Sequence, residues 1–367
     1  RILTLKNALG LFEAPFKDAD EEKEKEIILC EEHRALAREA ARKSFVLLKN
    51  EGVLPLSDKK KTAYIGPYVD SRNLMGAWSL TGETKDVATL RESVLEQCAD
   101  TDAVFCCGCP MTDSGRKLEG FLECTDEMVS AEEQQRMMDE AVEAAKACGQ
   151  VVLLLGEDRR QSGEAASSAG IQIPGIQQEL LDRVCAVCDQ VAVVLFSGRP
   201  LDIRQIAEKA QAVLLAWMPG TEGARALVDV LSGRYSPSGK LPMSFPYCVG
   251  QVPVHYNEYP TGRPHVPGKD KDRFRSKYLD IPNSPLYLFG FGLTYTSFSV
   301  SPVVLDRDHM TKDEILTASV TVRNTGSVEG TETVQLYIRD VAASVVRPVK
   351  ELKGFCKVTL QPDEQQN

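Results

Sequence analysis

One short stretch of the chain brings several ionisable side chains together directly after an apolar run. Residues 153–168 read LLLGEDRRQSGEAASS, so Glu157 and Arg160 follow a predicted buried strand and Glu164 lies further along. Carboxyl groups donate and accept protons, and guanidinium groups hydrogen-bond polar ligands. These residue types therefore suggest acid–base chemistry on a polar substrate.

The connection that carries these residues is longer than an ordinary loop. It covers residues 157–173, between a predicted strand at 151–156 and a predicted helix that starts near Pro174. Strand-to-helix connections in α/β proteins usually take about 2–6 residues, and longer ones are commonly functional. Loops at the carboxyl ends of parallel strands line the binding crevice of such a sheet. We therefore expect residues 157–173 to line a site.

Glu164 is the candidate catalytic residue of this loop. Small neighbours in SGEAASS let a ligand approach and keep water away, and a desolvated carboxyl can hold a proton and act as a general acid. Glu157, Arg160 and Ser162 are candidate substrate-binding residues, although the position of Glu157 directly after the strand also favours a structural role. The alternative for the whole loop is a solvated surface segment whose acids and arginines pair with each other.

Composition predicts a soluble globular protein and argues against several kinds of partner. The 367 residues are 43% hydrophobic and 26% charged, with a net charge of -10. The excess of acids disfavours nucleic acid, and the chain lacks the run of about 18 apolar residues that a membrane span needs. We expect two or three domains, no nucleic-acid or membrane partner, and a possible homo-oligomer. A cytoplasmic location is expected, with a periplasmic or secreted one as the alternative because the true start of the protein lies before Arg1.

The eleven cysteines do not predict a metal or redox centre. Cys185 and Cys188 have the spacing of a metal-binding or redox pair, but they fall within a helical pattern and lack a second pair. Cys106, Cys107 and Cys109 belong to a strand pattern or follow it, so buried thiols are the better interpretation. We expect no metal and no other cofactor.

The remaining sequence predicts an α/β domain followed by a β domain. Continuous apolar runs, typical of parallel strands covered on both faces, occur at 62–66, 102–108, 151–156, 191–198 and 212–220. Amphipathic helices are predicted over 21–49, 174–187 and 221–233. After residue 297, alternating apolar and polar residues predict an antiparallel sandwich, which about 70 residues would leave incomplete.

Longer stretches of the chain resemble a known family. They include ARKSFVLLKNEGVLPL at 41–56, LLLGEDRRQSGEAASS at 153–168, SPSGKLPMSFP at 236–246, KYLDIPNSPLYLFGFGLTYT at 277–296 and RPVKELKGF at 347–355. These stretches are similar to glycoside hydrolase family 3, of the β-glucosidase and β-xylosidase type, in the order of that family. The resemblance implies an enzyme with an N-terminal (β/α)8 barrel, an α/β sandwich of about six strands and a fibronectin type III-like domain.

The resemblance divides the chain into three regions. Residues 1–50 would be the segment that leaves the barrel together with a linker helix. Residues 51–296 would form a mostly parallel α/β sandwich with helices on both faces, and residues 297–367 a truncated fibronectin type III-like β-sandwich. The barrel of the same protein would then be the partner of these regions, and it would lie outside the chain.

The resemblance also implies a mechanism, that of a retaining, exo-acting β-glycosidase acting on a β-linked glycoside or oligosaccharide. The family's glutamate acid/base falls on Glu164, and its aspartate nucleophile would come from the barrel. Retaining chemistry places the two carboxyl groups only about 5–5.5 Å apart, which explains a loop that reaches out of its own domain. The chain alone would be inactive.

Several points stay open at this stage. Ser168 and Leu288 depart from the residues that many relatives carry, with consequences for orientation or substrate range. Trp78 could face a sugar, although a buried core position is the favoured interpretation. Because half of the catalytic pair would lie elsewhere, the alternative function is a non-catalytic carbohydrate-binding or assembly module.

Overall fold

The computed structural model describes residues 1–17, 19–79, 82–98, 102–113, 129–266, 268–269 and 271–367. Within these ranges the α-helices are α1 (Ile2–Ala8), α2 (Glu21–Ile27), α3 (Glu31–Ser44), α4 (Leu90–Gln97), α5 (Ala131–Lys146), α6 (Gly175–Cys185), α7 (Arg204–Lys209) and α8 (Gly223–Leu231).

Strands occur in two groups along the same ranges. The first group alternates with helices: β1 (Val46–Asn50), β2 (Thr62–Ile65), β3 (Ala103–Cys106), β4 (Gln150–Gly156), β5 (Val191–Phe196) and β6 (Ala212–Leu215). The second follows without helices: β7 (Phe298–Val300), β8 (Val304–Leu305), β9 (Ala318–Ser319), β10 (Val322–Asn324), β11 (Gly330–Ile338), β12 (Glu351–Leu360) and β13 (Gln365–Gln366).

The first group forms one six-stranded sheet in the order β1-β6-β5-β4-β2-β3. Strands β2 to β6 are all parallel to one another, and β1 runs antiparallel to β6 at one edge. The strands predicted at the five apolar runs are therefore confirmed, as is the mostly parallel α/β architecture. A single antiparallel edge strand is a common addition to a parallel sheet.

The prediction of one helix over 21–49 is wrong. Helix α2 ends at Ile27, and Leu29 adopts a φ of 57°, so a second helix, α3, starts only at Glu31. Helix α3 ends at Ser44, and β1 begins two residues later, at Val46. Phe45 to Leu48 are buried, and a short apolar run of this kind fits either a helix or a strand by periodicity alone. Hydrogen bonding to the edge of β6 decides in favour of the strand.

Helices cover both faces of the sheet, as predicted. Leu153 and Leu155 of β4 pack against α5, α6 and α7, whereas Val152 and Leu154 face α3, α4 and α8. This alternation follows from the two-residue period of a strand, and burial on both faces explains the continuous apolar runs.

At one point in the sheet the helices that follow neighbouring strands change from one face to the other. Neighbouring strands β2 and β4 are followed by helices on opposite faces, α4 after β2 and α6 after β4. In open parallel sheets, ligands bind at the carboxyl ends of strands at such a switch point. We take this switch point as the candidate crevice, with residues 66–79 after β2 on one side and residues 157–174 after β4 on the other.

The second group of strands forms small antiparallel sheets, in agreement with the predicted β region. They contact the α/β domain through polar pairs. Lys240 Nζ lies 2.7 Å from Glu332 Oε1, and Gln335 Nε2 donates to the carbonyl oxygen of Gly290 at 3.0 Å. Among the described residues, no helix is long and apolar enough to cross a membrane.

Candidate active site

The long loop begins at a glycine that is enclosed by neighbouring backbone. Gly156 has a φ of 152°, and a Cβ atom at this position would lie 1.9 Å from the carbonyl oxygen of Phe196 in β5. The buried side chain of Gln177 accepts a hydrogen bond from the Gly156 N–H at 2.8 Å and donates to its carbonyl oxygen at 2.9 Å. The point at which the loop leaves the sheet is therefore fixed from both sides.

The first half of the loop is a compact, buried polar turn. Arg159–Gln161 form a single 3-10 turn, capped by Asp158, whose carboxylate accepts from the backbone N–H of Arg160 at 2.9 Å. The same carboxylate oxygen accepts from Arg160 Nε at 2.7 Å, and both side chains of this ion pair are 7% exposed. Arg160 is thus held against the loop's own acid.

Glu157 anchors the start of this turn to the residues at the end of β5. Its side chain is only 3% exposed, and its Oε2 atom lies 3.1 Å from Ser197 Oγ and 3.3 Å from Arg199 Nε. Its backbone N–H donates to the carbonyl oxygen of Phe196 at 2.9 Å, and the buried hydroxyl of Tyr68 donates to its carbonyl oxygen. A carboxylate buried in this way needs its hydrogen-bond donors and its cation, because burying a charge without them is costly.

The second half of the loop carries Glu164 to the surface. Gly163 and Ala165, on either side of it, have positive φ values of 102° and 57°. A sharp turn therefore projects the Glu164 side chain, which is exposed, outward from its own sheet. After the turn, Ser168 Oγ donates to the carbonyl oxygen of Gly170 at 2.7 Å, and that of Ile171 accepts from the Asp202 N–H at 2.8 Å.

Trp78 lies next to this turn, on the opposite side of the crevice. A Cβ atom on Gly163 would lie 3.3 Å from Trp78 Nε1 and 3.1 Å from the Cβ atom of Ala77. The favoured interpretation of Trp78 as a core residue is wrong, because it is 64% exposed. An exposed indole beside Glu164 is available to a ligand in the crevice.

The predicted site residues fall into two environments. Glu157 and Arg160 are buried with their partners, which favours the structural alternative for Glu157. Ser162 is half-buried and lies close to the backbone of the next loop, since a Cβ atom on Gly198 would come within 2.3 Å of Ser162 Oγ. Glu164 alone among the four is exposed. Their roles in binding and catalysis stay predictions.

Sequence reasoning missed the part of Arg199 in this site. Its Nη2 atom donates to the carbonyl oxygen of Ala166 at 3.0 Å, while its Nε atom faces Glu157. The available signal was position, because the Ser-Gly-Arg stretch that ends at Arg199 follows β5, the direct neighbour of β4. Two adjacent parallel strands bring the loops that follow them together.

The cysteine-rich segments lie away from this crevice or inside the core. Cys106 and Cys109 are buried, and burial raises the pKa of Cys107 to about 11. Cys185 is half-buried at the end of α6, where burial raises its pKa to about 11 as well. In the described ranges, no group of three or more His, Cys, Asp or Glu side chains is arranged to hold a metal ion.

Comparison with known families places this fold and loop among the sugar hydrolases. Residues 45–295 match the glycosyl hydrolase family 3 C-terminal domain, and residues 332–367 match the fibronectin type III-like domain. The chain belongs to glycosyl hydrolase family 3.

Named relatives and solved structures agree with this membership. The chain is 42% identical to a periplasmic beta-glucosidase of Salmonella typhimurium, over 99% of this chain and 48% of the relative. It is 39% identical to a beta-xylosidase of Formosa agariphila, with the same two coverages. The crystal structure of a beta-glucosidase from Listeria innocua in complex with glucose covers 100% of this chain with a TM-score of 0.87 and 39% identity, using 47% of its own length. The chain thus spans about half the length of the relatives it matches.

Proposed function

We propose that Glu164 is the general acid/base of a retaining, exo-acting β-glycosidase. The exposed position of Glu164 on a long, anchored loop beside the crevice supports this proposal, and so does membership of the family. The aspartate nucleophile is expected from a (β/α)8 barrel that belongs to the same protein, since the relatives are about twice as long as this chain.

Glu164 acts twice in this mechanism. In the first step its proton passes to the glycosidic oxygen while the aspartate carboxylate attacks the anomeric carbon, so the glycosidic bond breaks and a glycosyl ester forms. In the second step the deprotonated Glu164 takes a proton from water, whose oxygen attacks the anomeric carbon and releases the aspartate. Two inversions retain the configuration, and the proton returns to Glu164.

The neighbouring residues fit roles around a sugar. The exposed indole of Trp78 offers an apolar face and an N–H donor, and Ser162 offers a hydroxyl on the same loop. Glu157 and Arg160 support the loop, and their contact with the substrate stays a prediction. We propose a β-glucoside as substrate, because named relatives include beta-glucosidases, with a β-xyloside as the alternative.

Glu164→Gln in the protein that includes the preceding region tests the proposal. We expect kcat/KM on phenyl β-glucoside to fall by about 10²- to 10⁴-fold, the usual contribution of a general acid. Glu143→Gln is the matched control, because Glu143 is an exposed acid on α5 that pairs with Lys146. Wild-type rates in the Glu164 variant would exclude it as the acid/base.

Azide provides a second readout on the same site. In Glu164→Ala with an activated aryl glucoside as substrate, the glycosyl ester still forms on the aspartate. Azide then attacks this ester, forms a β-glycosyl azide and restores turnover. The 367-residue chain alone should show no turnover on aryl β-glucosides, because the proposed nucleophile is not within it. Turnover by the chain alone would contradict the assignment of the nucleophile to the barrel.

The alternative function is a non-catalytic carbohydrate-binding or assembly module. Exposed Trp78 is the observation that favours it, since aromatic faces also serve sugar binding without hydrolysis. Sequencing the gene before Arg1 separates the two functions: a barrel there supports the enzyme, and a start codon there supports the module. The cytoplasmic location also stays a proposal. The name of the Salmonella relative supports the periplasmic alternative, and cell fractionation separates the two.

A further inference from the structure

The turn that carries Glu164 has a backbone conformation that needs outside support. Ala165 has a φ of 57°, a left-handed conformation that side chains with a Cβ atom rarely adopt. Such conformations persist where surrounding contacts hold them, and they cluster at functional sites. The contacts that hold this turn therefore control where the Glu164 carboxyl lies.

Arg199 supplies the contact on the carboxyl-terminal side of the turn. Its Nη2 atom donates a hydrogen bond to the carbonyl oxygen of Ala166, two residues after Glu164, at 3.0 Å. On the amino-terminal side, Gly163 packs against Ala77 and Trp78. The turn is thus held between an apolar contact and a charged hydrogen-bond donor.

Arg199 is itself held in place by two buried residues, Glu157 and Ser197. Its Nε atom lies 3.3 Å from Glu157 Oε2, and the Arg199 side chain is 21% exposed. Its backbone N–H donates to Ser197 Oγ at 3.1 Å, and this hydroxyl also lies 3.1 Å from the Glu157 carboxylate. Because Glu157 directly follows β4 and Ser197 directly follows β5, the guanidinium group is tied to two rigid strands.

We propose that Arg199 is a positioning residue that sets the place of the Glu164 carboxyl by bridging the buried Glu157 carboxylate and the Ala166 carbonyl oxygen. This inference rests on the proposed role of Glu164 as general acid. The planar guanidinium group suits the role, because it presents several N–H donors in fixed directions. It keeps the hydrogen bond to Ala166 and the ion pair with Glu157 at the same time, which a lysine ammonium on a flexible stem does not.

Leaving-group dependence in the protein with its preceding region tests this role. A glycoside with a poor leaving group, phenol, needs a proton from Glu164, whereas 2,4-dinitrophenolate leaves without one. For Arg199→Ala we expect kcat/KM to fall by about 10²-fold on the phenyl glycoside, the scale of a misplacement of about 1 Å. On the dinitrophenyl glycoside we expect a change within about threefold, because proton donation contributes little there.

Arg199→Lys is the second variant. It keeps a positive charge beside the buried Glu157 carboxylate, so the test does not depend on whether Arg199→Ala folds. We expect about a tenfold fall on the phenyl glycoside and faster amide hydrogen exchange over residues 163–168, since the fixed fork is lost. Arg183→Ala is the matched control. Arg183 also pairs with a carboxylate, the exposed Glu179 on α6, and is 33% exposed, so its loss should leave both readouts at wild-type values.

The outcomes separate the two proposals. Equal losses on both glycosides in the Arg199 variants would show a structural role only and overturn the inference. Unchanged kinetics in these variants, together with leaving-group dependence in Glu164→Gln, would overturn it while leaving the proposed function intact. A Glu164→Gln variant without leaving-group dependence would instead remove the proposed function.

Discussion

Replacing Gly156 by alanine tests how the loop that carries Glu164 is attached to the sheet. A Cβ atom there would lie 1.9 Å from the carbonyl oxygen of Phe196 and 2.7 Å from its carbonyl carbon. Both atoms belong to the backbone of β5, which pairs with β4 at this position, so neither can rotate away. The strands must separate, or the loop must leave β4 in another direction.

The expected cost combines two terms. The positive φ of 152° disfavours alanine by about 1–2 kcal/mol, and overpacking against a fixed neighbour adds about 1–3 kcal/mol. The sum, about 2–5 kcal/mol, is a large part of the 5–15 kcal/mol by which a typical domain is stable, so roughly a third of its stability would be lost. We expect this loss in urea-induced unfolding followed by circular dichroism.

Gly52→Ala is the matched control for this experiment. Gly52 also has a positive φ, of 89°, but nothing lies within 4 Å of a Cβ atom at its position. It should therefore lose only the conformational term of about 1–2 kcal/mol. Equal destabilisation of the two variants would refute the close approach of Phe196 to Gly156.

Two further predictions concern the buried polar groups around the site. Gln177→Leu removes the hydrogen-bond partner of the Gly156 N–H and of the Gly156 and Met111 carbonyl oxygens, and should lower the free energy of unfolding by about 3–5 kcal/mol. The control, Gln178→Leu at the neighbouring position, should cost less than about 0.5 kcal/mol. Similar losses in both variants would contradict the buried network. Burial raises the pKa of Cys107 to about 11, above about 8.5 in the unfolded chain, so its contribution to stability is complete below pH 8.5 and is lost as the pH rises toward 11. Cys107→Ser keeps a hydroxyl donor for the Cys109 carbonyl oxygen, and should reduce the decline in the free energy of unfolding between pH 8.5 and 10 by about 1.5 kcal/mol. An unchanged decline in urea unfolding would show that Cys107 titrates normally.

The parallel strands were predictable because burial on both faces leaves a clear mark on the sequence. Each of the five predicted runs contains a strand, and the residues of β4 are buried along its whole length. The edge strand β1 was not predictable in the same way. Its residues 46–48 continue the apolar pattern of α3, and only pairing with β6 distinguishes strand from helix.

The candidate site was predictable where its signal is local. The length of the loop, its polar composition and the small residues around Glu164 all lie within residues 157–173. The supports of the loop depend on contacts between distant positions. Arg199 and Gln177 come close to the loop only because of the order of the strands in the sheet. The exposure of Trp78 depends on the path of the chain after β2. Position just after β5 is the one sequence signal for Arg199, and neither periodicity nor spacing encodes the contacts of Gln177 and Trp78.

The division of charge within the loop explains why it carries so many ionisable groups. Asp158 pairs with Arg160 and Glu157 pairs with Arg199, so two of the three carboxylates are buried and paired with cations. Buried ion pairs are weak evidence for stability, but they fix geometry because losing one partner leaves a buried charge unpaired. The two buried ion pairs make the base of the loop rigid, so its exposed tip can hold Glu164 at a set distance from the sheet. The charges near the strand therefore serve the position of the single carboxyl at the tip.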